Sequence, residues 1–310
     1  MMSVKEHRKR AFLIPVHQPK TGLLVSLLNS IIVCDGTDAT PERIVLIVSD
    51  WKDLQFFTRV LHRHPIWPRL DLLDAAAYAR DILNSEVLAE RIVSNIAGSV
   101  VNTKKLIGLH WMMRCQIDFC VCIDCDSLAV RTSAVLFEQA KKNHASQLYI
   151  ATRVDNEEHV VIYRDVTKKC GELFNEVDEE LIKYVTCQYN LYTWFYDVPA
   201  YELETVEAMF VYMAERYGSI AEFISKMHWP TFDHIVYTLY RIISKRATIF
   251  DATAELGVLN RTECITLEDA TRIFRKTGYM PAWLSAQTTF VEPDCYDLMP
   301  SLAMLMHMDR

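Results

Sequence analysis

Ile117-Asp118-Phe119-Cys120-Val121-Cys122-Ile123-Asp124-Cys125-Asp126-Ser127-Leu128 is the stretch that decides how this chain is read. Its apolar run, residues 119–123, is short and uninterrupted, the signature of a strand buried on both faces. Two carboxylates follow at alternate positions. In an extended chain, side chains two residues apart point the same way. Asp124 and Asp126 therefore converge if the extended geometry persists through them. Two carboxylates at a buried strand end repel one another and are costly to desolvate. A divalent cation relieves both problems, and Mg²⁺ or Mn²⁺ favours oxygen ligands shared between carboxylates and substrate phosphates. A bare Asp-x-Asp arises by chance in many chains, and a solvated turn at a strand end is the plain alternative. Its place behind a helix and a buried strand is what gives the pair weight.

Working outward, the preceding sequence alternates strand-like and helix-like segments. Residues 11–17 (AFLIPVH) form an apolar run, after which Thr21 is placed to cap a helix carrying Leu23, Leu24, Leu27, Leu28 and Ile31. Residues 44–48 (IVLIV) read as a second buried strand ending at Ser49-Asp50. Leu54, Phe57, Val60 and Leu61 form a helical face, and residues 70–77 read as a third strand. Asn102 or Thr103 starts a helix through Leu106, Leu109, Trp111 and Met112, which delivers the chain into residues 119–123. Such alternation predicts an α/β fold of Rossmann-like type, with a mainly parallel central sheet flanked by helices. Ligands bind such sheets at the carboxyl ends of the strands. Here those ends carry Pro15, Val16 and His17, then Ser49 and Asp50, then Asp124 to Asp126.

The second half differs in character. Residues 189–201 (YNLYTWFYDVPAY) are rich in aromatics, helix-like stretches cover 204–217 and 232–244, and the tail 266–310 reads as a helix plus an irregular segment. No Gly/Ser or Pro linker separates the halves. We therefore expect one domain: a basic tail at 1–10, a ligand-binding half at 11–155, and a half at 156–310 that completes it.

The 310 residues carry 33 Lys and Arg against 40 Asp and Glu, a net charge of −7. That balance argues against non-specific nucleic-acid binding, which normally needs a basic face. The one dense basic run, Lys5, Arg8, Lys9 and Arg10, reads as a solvated tail or a weak membrane-surface tether. No secretory signal is visible and no stretch approaches the roughly 20 apolar residues of a membrane span. A cytoplasmic location is expected. The nine cysteines are expected to be buried thiols rather than disulfides. Cys120 and Cys122 lie inside an apolar run rather than in a zinc knuckle, so small buried hydrophobes explain them better than a metal site.

With these segments in order, residues 11–155 resemble the GT-A glycosyltransferases. The resemblance rests on a first strand like AFLIPVH, a helix like LLVSLLNSI, a second strand ending in Asp, and a strand ending in Asp-x-Asp as in VCIDCDS. The stretches WFYDVPAYE, WPTFDHIVY and HMDR are similar to features of smaller bacterial and viral branches. The resemblance implies a sugar donor carried on a nucleoside diphosphate (UDP or GDP), a glycan or other hydroxyl acceptor, and a Mn²⁺ or Mg²⁺ cofactor. It implies that Pro15, Val16 and His17 line the base or ribose, that Asp50 hydrogen-bonds the base, and that Asp124 approaches the ribose and metal. Asp126 would ligate the metal directly, with Cys125 as the spacer in the same segment. Two departures stand out: Cys125 at the spacer, and Ser49-Asp50-Trp51 in place of Asp-Gly-Ser.

Asn102, Lys104 and Lys105 open the helix before the motif, where they serve either a phosphate or ribose contact or an ordinary solvated first turn. Inverting transfer needs a carboxylate to accept the acceptor's proton. Asp197 in Trp194-Phe195-Tyr196-Asp197-Val198-Pro199 fits best, with Trp194 among the aromatics placed to stack on a sugar. Asp233 is the rival, its plain alternative being favourable charge in a first helical turn. His307 is placed to complete the metal shell. Two other functions remain open: a sugar-phosphate nucleotidyltransferase, although HQPKTG (residues 17–22) has only one Gly and one Lys, and a non-catalytic binding protein on the same fold.

Overall fold

A computed structural model describes residues 9–36, 43–94, 100–125, 127–129, 131–153, 166–174, 180–181, 185, 188–190, 199–228, 231–251 and 283–285. In chain order, β1 (Arg10–Pro15), α1 (Thr21–Asp35), β2 (Arg43–Val48), α2 (Trp51–Leu61), β3 (Leu70–Asp74), α3 (Ala75–Asp81), α4 (Glu86–Ser94) and α5 (Val100–Arg114) come first. Then follow β4 (Phe119–Cys122), β5 (Ser127–Ala129), α6 (Ser133–Ala145), β6 (Leu148–Arg153), β7 (Tyr189–Asn190) and β8 (Ala200–Glu202). The remaining elements are α7 (Leu203–Tyr217), α8 (Ile220–Ser225), α9 (Asp233–Ile243), β9 (Thr248–Asp251) and β10 (Trp283–Ser285).

The central sheet has the order β3-β2-β1-β4-β8. Its first four strands are parallel, and β8 joins β4 antiparallel. The period-2 geometry of a strand explains why the runs are apolar throughout. Ala11, Leu13, Val45, Ile47, Cys120 and Cys122 enter one apolar cluster with the inner sides of α3, α4, α5, α7, α8 and α9. Phe12, Ile14, Ile44, Leu46, Val48, Phe119 and Val121 enter the other, against α1, α2 and α6. The protein is thus a mixed α/β structure, a mostly parallel sheet flanked by helices on both faces. Two smaller sheets, β7-β6-β9 and β10-β5, lie outside the central one.

Gly108 lets α5 lie close on the sheet. A Cβ there would meet the Cδ1 of Leu13 at 2.6 Å and come closer still to Ile47. Gly218, in the left-handed region at φ 88°, ends α7, its N–H reaching the Ala214 carbonyl at 2.8 Å. No helix among the described residues is long and apolar enough to cross a membrane.

Several boundaries differ from the sequence reading. Thr21 does not cap α1: a 3₁₀ turn at Gln18–Lys20 precedes it, and the Thr21 hydroxyl donates back to the Gln18 carbonyl at 2.5 Å. The third strand stops at Asp74, whose side chain accepts from the Ala77 N–H at 2.9 Å and starts α3. The alanines that follow obey their helix propensity once capped. Within the tail, residues 283–285 form a strand rather than helix or irregular chain, because β5 offers them a partner. The six described cysteines are free thiols. Burial pushes the Cys120 and Cys122 thiols well up, and that of Cys170 up to about 12.

Candidate active site

The carboxyl edge of the parallel strands is built by groups that each strand's end hands to the next helix. Past β1, the Val16 N–H still donates to the Ile47 carbonyl at 3.0 Å, so Pro15 and Val16 stay buried and His17 is the first exposed residue. Past β2, Asp50 caps α2, its Oδ1 accepting from the Asp53 N–H at 3.0 Å. Asp53 answers by accepting from the Ser49 N–H at 3.3 Å and from Gln18 Nε2 at 2.6 Å. The Asp50 carboxylate therefore has a structural task, worth about 1 kcal/mol as a cap, besides any contact to a base.

Past β4 the strand geometry ends at Cys122 rather than running through both aspartates. Ile123 still donates to the Leu13 carbonyl at 2.9 Å, and the Ser127 N–H donates to the Asp124 carbonyl at 3.1 Å. Strand alternation thus no longer supplies the reason for two carboxylates to converge. Asp126 lies outside the described residues, as do Trp194, Asp197 and His307.

The two lysines of α5 are not a solvated first turn. Lys104 is 3% and Lys105 2% exposed. Neighbouring helical residues project about 100° apart, so the pair reaches two adjacent strand ends. Lys104 Nζ donates to the Val16 carbonyl at 2.9 Å, and Lys105 Nζ pairs with Asp124 Oδ1 at 3.0 Å. Burial pulls Lys104 down to about 8, against the opposing charges of Asp53, Cys125 and Asp50. Burial would also pull Lys105 down, but Asp124 first, then Cys122 and Asp233, outweigh it and hold the ammonium well above its ordinary value. Lys105 is a buried permanent cation beneath the edge.

Asn102 and Asp233 sit deeper. Asn102 Nδ2 donates to the Thr231 carbonyl at 2.6 Å, tying α5 to the chain entering α9. Asp233 is 0% exposed and its Oδ2 accepts from the Tyr201 hydroxyl. Its Oδ1 has no hydrogen-bond partner among the described residues. Beside it, burial lowers His234 to about 4.

The structure therefore gathers Pro15, Val16, Lys104, Lys105, Asp50, Asp124 and the buried Cys125 along one edge and places Asn102 and Asp233 behind it. It adds one residue the sequence reading missed. Asp74 ends β3 on the same edge, and burial, opposed by its cap bond to Ala77 and reinforced by Asp50, raises its pKa. The strand boundary at 74 would have revealed it, but reading strand through 77 hid that end. Among the described residues no group of three His, Cys, Asp or Glu could hold a metal. Asp124 has its side chain 29% exposed and its Oδ1 paired with Lys105. A full metal shell would need ligands from outside the described residues.

No protein-family model matches the sequence, and no curated protein matches it. Among solved structures the chain is similar to the apo form of mouse xyloside xylosyltransferase 1, with 12% identity, a TM-score of 0.44, and 92% of this chain and 99% of that one covered. It is similar to the galactosyltransferase LgtC in complex with donor and acceptor sugar analogues at 13% identity and TM-score 0.43, covering 96% and 95%. Residues 1–349 of S. aureus TarS give 12% identity and TM-score 0.31, covering 87% and 72%. At such scores neither activity nor ligand passes from those proteins to this one.

Proposed function

We propose that the chain is a metal-dependent glycosyltransferase of GT-A type that moves a sugar from a UDP- or GDP-linked donor to a glycan hydroxyl, with inversion. The observation that carries this reading is the Lys105–Asp124 ion pair at the carboxyl end of β4. A buried cation is spent on orienting one carboxylate at the edge where such sheets bind ligands, which suits a position that must be held, not a solvated turn. The sequence resemblance over residues 11–155 supports the same reading.

In this scheme the donor's base and ribose lie against Pro15, Val16 and His17, with Asp50 offering its uncommitted oxygen to the base. Asp124 and Asp126, with His307, would hold Mn²⁺ or Mg²⁺. The bound ion would supply Lewis acidity and charge neutralisation toward the departing nucleoside diphosphate. Lys105 fixes the Asp124 carboxylate, and Lys104 adds positive charge behind the Val16 carbonyl, which compensates a chain of net charge −7. Asp197 accepts the acceptor's proton and Trp194 stacks on a sugar. Asp233, fully buried and bonded to Tyr201, serves as a countercharge to Lys105 rather than the base. A cytoplasmic location goes with this reading.

The test is a panel of UDP- and GDP-sugars with and without Mn²⁺, read by nucleotide release. Metal-dependent release with one donor is expected, lost in Asp126→Ala. Full turnover by that variant would remove the metal assignment, and nucleotide binding indifferent to Mn²⁺ would point to a binding protein. Asp197→Asn is expected to keep donor binding and lose transfer; unchanged rates would return the base role to Asp233.

A further inference from the structure

The opposite edge of the central sheet carries a second concavity. Arg10 opens β1, Asp118 and Phe119 lead into β4, and Glu202 closes the antiparallel β8, so these residues meet at the amino ends of the parallel strands. Between them, α6 and α9 bound a cavity of about 280 Å³. Its lining holds four permanent cations, Arg10, Lys141, Arg241 and Arg246, against two carboxylates, Asp118 and Glu202. That excess runs against a chain in which acids outnumber bases by 40 to 33.

Two of the cations are anchored, and both carboxylates already accept hydrogen bonds. Arg241, 8% exposed, donates from Nη2 to the His144 carbonyl at 2.8 Å, and Arg246 Nη1 donates to Thr205 Oγ1 at 3.1 Å. Glu202 accepts from the Thr205 hydroxyl at 2.9 Å, and Asp118 accepts from the Lys9 N–H at 2.8 Å. His144 is a neutral wall: burial, with Arg241 beside it, pulls its pKa down to about 4. Its ring packs edge-on against Phe119 and bonds to the Tyr237 hydroxyl at 2.8 Å. The concavity thus combines fixed guanidinium groups with an aromatic floor.

We infer that this amino-edge cavity is a binding site for the phosphate group of a small ligand, separate from the carboxyl-edge site around Asp124. A planar guanidinium presents paired donors to phosphate oxygens, and Lys supplies a point charge. The volume lies at the small end of ligand cavities, suited to a sugar phosphate or free phosphate rather than a nucleoside diphosphate sugar. The inference does not depend on glycosyl transfer.

Titration calorimetry of the intact chain with inorganic phosphate, and separately with a hexose 1-phosphate, at one ionic strength tests it. Saturable one-site binding is expected for at least one ligand, and the tighter of the two identifies the source of the phosphate. Lys141 and Arg246 are exposed, so Lys141→Ala/Arg246→Ala should fold normally and weaken binding about tenfold or more. His17→Ala, an exposed position at the carboxyl edge, should bind phosphate at this cavity as the wild type does. No saturable heat with either ligand, unchanged affinity in the double variant, or affinity altered by His17→Ala would overturn the assignment.

Discussion

Replacing Asp124 by Asn, alone and together with Lys105→Met, probes the ion pair on which the site rests. Lys105 is nearly inaccessible, whereas the Asp124 side chain keeps 29% of its surface in water. Asp124→Asn therefore takes one countercharge from an ammonium that water hardly reaches. Breaking a buried pair from one side costs about 3–5 kcal/mol; the partial exposure of Asp124 puts this case near the lower end, about 3 kcal/mol. Adding Lys105→Met removes the under-compensated charge and fills most of its volume, and replacing a whole buried pair by less polar groups is often close to neutral. Asp233, within electrostatic reach of Lys105, loses its countercharge in the double variant and limits the recovery. The double variant should still be more stable than Asp124→Asn by about 1 kcal/mol or more. Urea unfolding, with unchanged m-values certifying the same folded state, measures this. If the second substitution adds to the loss, Asp124 is not what compensates Lys105.

Lys104 makes a pH prediction. Its pKa falls from the ordinary 10.5 to about 8, so the cost of burying its charged form is fully present below about pH 8 and fades as pH rises toward 10.5. Relative to Lys104→Met, the wild type should gain up to about 3 kcal/mol across that window; unfolding midpoints at pH 7.5 and pH 10 that keep a constant difference would refute it. Gly108→Ala should destabilise by about 1–3 kcal/mol through overpacking against Leu13 and Ile47, despite better helix propensity. A stabilised variant in thermal unfolding would show that α5 can lift from the sheet.

Much of the fold was legible because its signal is local. Past the arginines that open β1 and β2, the runs at β1, β2 and β4 are apolar at every position, and doubly buried strands require that whatever their partners are. The helices at α7 and α9 announced themselves by their period, with boundaries within two residues of those expected. Less of the site could be read. For Lys104 and Lys105 a ligand contact and a solvated helix start could not be told apart, because their burial depends on α5 crossing the ends of β1 and β4. For Asp233 a catalytic base and a first-turn acid both fitted, because Tyr201 and Lys105 approach it only in the folded chain. Asp74 was hidden because residues 70–77 were read as one apolar strand across alanines that prefer helix, and the cap bond from the Ala77 N–H that divides them is seen only in the fold.

The sequence by itself determined the alternation of buried strands and helices, and with it the placing of Asp50 and Asp124 at strand ends. Hydrophobic period and strand polarity are properties of neighbouring residues, so no long-range knowledge is needed to see them. Only the tertiary structure decided which cation meets which carboxylate, that β8 and β10 find partners, and that four basic residues converge at the opposite edge. Those are contacts between residues remote in sequence, set by how helices cross a twisted sheet, and no local pattern encodes them.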